Sequence, residues 1–105
     1  MIKVDWDQVL VVGILQVELM INGSQSLKDK RRVVSSLKSH LHREHQVSVA
    51  EVDSLDSHRT AVLGISMVSN EVSHCQAVLD RLVNKLRISR DYVLSDHRVQ
   101  ILAGQ

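Results

Sequence analysis

The feature that most constrains this chain is the repeated switching of its hydrophobic period between two residues and about 3.6 residues, the strand and helix repeats. From Val9 to Ile21 the odd positions Val9, Val11, Leu15, Val17, Leu19 and Ile21 are apolar, broken only by Gly13. The even positions turn polar at Gln16 and Glu18, which predicts a long strand with one buried face. The spacing then becomes helical, with Leu27, Val33, Val34, Leu37 and Leu41 on one side of a helix from Leu27 to His45. Ser26 is the expected N-cap, and Asp29, three residues on, stands where a capping box carries Glu. Val47 to Val52 alternates again, and Thr60 to Val68 is rich in β-branched and aliphatic residues; the short turn between them predicts an antiparallel hairpin. A second helix, capped at Ser69 or Asn70, is expected from the spacing of Val72, Cys75, Leu79, Leu82, Val83 and Leu86. Tyr92 to Leu102 closes the series as a strand, with Val99 and Ile101 alternating against Arg98 and Gln100.

That order, strand-helix-strand-strand-helix-strand, predicts an α+β fold of the ferredoxin-like βαββαβ kind: a four-stranded antiparallel sheet with both helices on one face. Right-handed crossovers through each helix are compatible with it. At 105 residues the chain is expected to form one domain over 1–105, with residues 1–8 either an ordered extension of the first strand or a loose tail. With no Phe, and Trp6 and Tyr92 as the only aromatics, the core must be built from Val, Leu, Ile, Met and Ala.

The composition, 44% hydrophobic and 24% charged, excludes disorder and fibrous repeats. Cys75 is the single cysteine, so no internal disulfide can form and a reducing, cytoplasmic setting is expected. No membrane span is expected, because the apolar run from Val9 to Leu15 falls far short of the roughly 20 residues a bilayer needs. The start, Met1 to Asp7, lacks the basic-then-apolar pattern of a signal peptide.

The Ser26-Leu27-Lys28-Asp29-Lys30-Arg31 segment opening the first helix, followed by Val47-Ser48-Val49-Ala50-Glu51-Val52, resembles the YlxP-like bacterial proteins of unknown function. Leu63-Gly64-Ile65 leading to Val68-Ser69-Asn70 extends the likeness, which covers about Val12 to Leu86. Where that family carries an aromatic before the Val-Ser-Val strand and a tryptophan after the hairpin turn, this chain has His45 and His58. The resemblance implies a ferredoxin-like domain and, because the family's genes neighbour translation-initiation and ribosome-maturation genes, a ribosome-linked role.

Charge is segregated along the chain. Ser24 to His45 holds six Lys or Arg against two acids, +4, while the remainder sums to −3 within a formal total of +1. Lys28, Arg31, Arg32, Lys38 and Arg43 share the solvent side of the first helix with His42, a row suited to phosphates, although charge runs commonly serve only to solvate a helix. Lys30 falls instead among Leu27, Val34, Leu37 and Leu41, so its ammonium must either snorkel to water or pair with a strand acid, Glu51 or Glu18. Pairing with Glu51 is the expected structural ion pair.

The remaining chemistry is sparse. His40 and His42 point to different sides of a helix, leaving His42 and His45 as the pair able to share a face, with no metal-ligand spacing. We expect no metal or cofactor site. Cys75 lies on an apolar face, as small buried hydrophobes do. Asn22-Gly23-Ser24 precedes a helix N-terminus but lacks the arginine with which acylphosphatases hold phosphate in that loop. The open sheet face, read as Val12, Ile14, Gln16, Glu18 and Met20, offers no ring for base stacking of the RRM kind. No catalytic residues are therefore nominated. The expected function is a non-enzymatic module that contacts structured RNA or a ribosomal subunit through its first helix. The alternative is a homo-oligomeric, dimeric or ligand-regulated domain that uses the open sheet face.

Overall fold

The computed structural model describes residues 3–4 and 10–104. Its elements are β1 (Val11–Ile21), α1 (Leu27–His45), β2 (Ser48–Asp53), β3 (Thr60–Ser69), α2 (Val72–Leu86) and β4 (Tyr92–Ala103). The sheet is antiparallel in the order β2-β3-β1-β4, the ferredoxin-like arrangement. Val9 lies outside the described residues, as does the proposed extension over 1–8 apart from Lys3 and Val4.

Alternation in β1 does what period two requires. Val11, Leu15, Val17, Leu19 and Ile21 are buried against the helices, and Gln16, Glu18 and Met20 stand exposed on the other side. Ala61, Leu63, Ile65 and Met67 of β3 repeat the pattern beside them. Val34 and Leu41 of α1 and Cys75, Val78, Leu79, Leu82, Val83 and Leu86 of α2 complete a single core. Gly13, where the alternation breaks, lies directly beneath α2: a Cβ there would collide with Cys75 Sγ and press on Leu79 and Met67.

Two local expectations change. The second helix starts later than Ser69 or Asn70; Glu71 occupies the N-cap with no side-chain cap bond, and the Ser69 hydroxyl instead accepts the Glu71 N–H at 3.1 Å. β4 is not a plain alternating strand. Its register with β1 shifts between Glu18 and Leu19, leaving Ser95 as the extra residue of a bulge, its hydroxyl bonded to the Glu18 backbone and carboxylate. The bulge lets Leu94 point at the core before it and Val99 and Ile101 after it.

Candidate functional site

The first helix is held at both ends by local chemistry. Ser26 Oγ accepts the Asp29 N–H at 3.0 Å, and Asp29 Oδ2 accepts the Gln25 N–H at 3.0 Å, so the carboxylate reaches back as in a capping box. At the other end Gln46, in the left-handed conformation with φ 55°, returns its N–H to the His42 carbonyl. Between these caps Lys30, Val34 and Leu41 are buried on the sheet side. Lys28, Arg31, Arg32 and Arg43 are exposed on the far side, and Lys38 is half-buried beside Val49 and His42. From Lys28 to Arg43 the row extends about 22 Å at about 1.5 Å per helical residue.

The acids of this segment are already engaged. Asp29 is committed to the cap, and Glu44 receives a hydrogen bond from Lys85 of α2 and lies 3.2 Å from His40 and 4.0 Å from His45. The Lys85 ammonium, with His40 beside it, holds the Glu44 carboxyl below its usual range. Among the described residues no carboxylate lies within 4.0 Å of Lys28, Arg31, Arg32, Lys38 or Arg43. Glu44 is thus paired with a cation of α2 and Asp29 is held in the cap, so neither acid of the segment offsets the outer row by direct contact.

Lys30 is fully buried, and its stem does not snorkel to water. Its ammonium donates to Glu51 Oε2 at 2.7 Å and to the Ser54 carbonyl at 2.9 Å, with the Thr60 and Leu55 carbonyls at 3.3 and 3.4 Å. Glu18 faces the opposite side of the sheet, where it accepts from Ser95. Lys30 thus ties α1 to the turn joining β2 and β3, in which Ser54 takes a left-handed φ of 58°.

His42 and His45, the two histidines able to share a face, have different partners. His42 Nδ1 bonds the Val47 carbonyl at 2.9 Å, whereas His40 and His45 converge on Glu44. The His45 ring is largely buried with its Nε2 lacking a hydrogen-bond partner; burial, reinforced by the Lys85 charge, lowers its pKa. Among the described residues no three His, Cys, Asp or Glu side chains are grouped to hold a metal ion. Burial pushes the Cys75 thiol up, favouring its protonated form.

One concave feature escaped the sequence. Between the helices lies a groove lined by Val33, Leu37, Leu41, Leu86 and Tyr92, with His40, Lys85 and Ile88 at its rim. Burial raises the Tyr92 pKa, opposed by its hydrogen bond with Ser89. Periodicity assigns each of these apolar residues to the core; whether two helices close over them depends on side-chain volume across the gap. No described helix is long and apolar enough to cross a membrane.

A family model described as a protein of unknown function, DUF503, matches residues 12–99. No curated protein matches the chain.

Proposed function

The chain belongs to the DUF503 family, whose function is unknown, and we propose that it is a non-enzymatic binding module that docks α1 onto structured RNA, on a ribosomal subunit, through phosphate contacts. The observation that carries this reading is the row of Lys28, Arg31, Arg32, Lys38 and Arg43, none within 4.0 Å of a described carboxylate, while both acids of the same segment are engaged. Cations arranged along one helix side meet a run of phosphates and release counterions, which gives affinity without sequence readout. Lys30, pinned to Glu51, orients that row relative to the sheet. The likeness to YlxP-like bacterial proteins, with their ribosome-related gene neighbours, supports the same partner and a cytoplasmic setting.

Base stacking plays no part in this reading, since among the described residues no aromatic side chain lies on the open sheet face. The test is co-sedimentation of the protein with separated ribosomal subunits at low and raised salt. Salt-sensitive association with one subunit, lost in Arg31→Glu/Arg32→Glu, is the expected result. Free migration of the unaltered protein at both salts overturns the reading and leaves the row as a solvated helix face.

A further inference from the structure

Toward its C-terminal end the basic row borders a small hollow. Lys38, Ser39 and His42 of α1 line it together with Val49 of the edge strand β2. Side chains four apart on a helix are neighbours, about 6 Å from one another, so one phosphate group can reach both Lys38 and His42. The Lys38 ammonium and the Ser39 hydroxyl are donors as they stand. His42 is the group whose role depends on a proton.

The fold fixes which ring nitrogen of His42 carries the hydrogen. Its Nδ1 lies 2.9 Å from the Val47 carbonyl, and a carbonyl oxygen only accepts, so Nδ1 is the donor. A neutral ring held in this way presents a bare lone pair at Nε2, which repels a phosphate oxygen. Protonation turns the same Nε2 into a charged donor without moving the ring. His42 is exposed, and among the described residues no hydrogen bond reaches its Nε2.

The charges around the ring are spoken for or positive. On α1, Lys38 is one turn back and Arg43 is adjacent, while Glu44 is taken by Lys85 of α2, with His40 and His45 beside it. From α2, Arg81 acts on His45. On β2, Glu51 is bound to Lys30, and the Asp53 carboxylate accepts the Ser54 N–H. β3 carries no charged side chain. Among the described residues no carboxylate lies within 4.0 Å of His42. His42 belongs to the last turn of α1, where the helix end bears partial negative charge, so an anion is held there only by side-chain cations.

We propose that Lys38, Ser39 and His42 form a phosphate-binding pocket at the end of the row, and that docking a backbone phosphate there takes up one proton at His42 Nε2. This rests on the RNA reading above and adds to it a defined site and a control by pH. The proton comes from solvent and the phosphodiester stays anionic throughout. Lysine and arginine contacts keep their charge over the range in which imidazole titrates, so the linkage belongs to histidine.

Co-sedimentation with separated ribosomal subunits at one salt concentration, at about pH 6 and about pH 8, tests the proposal. Association of the unaltered chain is expected to be about five-fold tighter at the lower pH. His42→Gln keeps a neutral donor and is expected to hold the weaker affinity at both pH values. His42→Lys is a cation at both and is expected to hold the tighter one. Far-ultraviolet circular dichroism checks that α1 is intact in each variant. Equal affinity of the unaltered chain at both pH values overturns the proposal and leaves the RNA reading standing. So does a pH ratio undiminished in His42→Gln, or His42→Lys binding as weakly as His42→Gln. Absence of association at both pH values overturns the two together.

Discussion

The ammonium of Lys30 lies 2.7 Å from the Glu51 carboxylate, joining the first turns of α1 to β2 beneath the helix. Lys30 is 1% exposed at its side chain and Glu51 14%, so the pair is shielded from water on one side and nearly so on the other. Two further backbone regions depend on the same ammonium, through the Ser54 and Thr60 carbonyls. Full satisfaction of its donors is what makes a buried lysine tolerable here.

Removing one partner therefore strands the other. Lys30→Ala and Glu51→Ala are each expected to cost about 3 kcal/mol, since an unpaired buried charge is costlier than a lost contact. The paired replacement Lys30→Met/Glu51→Leu is expected to recover a large part of that loss. Urea unfolding of the three variants checks this, and a double variant as unstable as the sum of the singles contradicts it.

Gly13 is a packing requirement. Gly13→Ala places a methyl against Cys75 Sγ, Leu79 and Met67, and overpacking of this kind costs about 1–3 kcal/mol. Cys75→Ala removes the atom that collides, so Gly13→Ala/Cys75→Ala is expected to be more stable than the two single effects predict together. Thermal melts of the double-mutant cycle measure that coupling.

His45 sets a pH dependence. Its pKa in the folded chain is lowered from an ordinary value of 6.5, so the unfolded chain binds more protons between the two values. Stability is expected to fall as pH drops through about 6.5 toward the folded pKa. Glu44 is lowered from 4.5 and loses its contribution only at more acid pH, in a separate window. His45→Leu is expected to flatten the slope above pH 5 and leave the acid limb in place. Urea midpoints between pH 5 and 8 decide the matter.

The basic row predicts a salt signature. If Arg31 and Arg32 each neutralise one phosphate, Arg31→Gln/Arg32→Gln reduces the slope of log K against log salt by about 1.4–1.8. Titration of the subunit identified by sedimentation, at several salt concentrations, measures the change. A parallel shift with unchanged slope removes these arginines from the phosphate contacts.

Element order and the buried side of each strand were legible because they depend on neighbours in the chain. Alternation placed Leu15, Val17 and Leu19 inward, and the Ser26–Asp29 spacing located the start of α1. The outer position of Arg31 and Arg32 followed from helical geometry in the same way. The bulge at Ser95 was not legible, because it exists only relative to the register of β1. Nor was the start of α2 at Val72, where Ser69 caps a turn and no side chain caps the helix.

What the sequence by itself determined is the list of faces: which residues are inner and outer on each helix and strand, and that a lysine lies on an inner one. Tertiary structure alone decided which faces meet. It chose Glu51 over Glu18 for Lys30, drew His40 and His45 together on Glu44, and brought Cys75 against Gly13. The physical reason is one of range. Backbone periodicity acts over a few residues, whereas ion pairing and close packing depend on distances of a few ångströms between segments far apart in the chain, set only once all of them share one core.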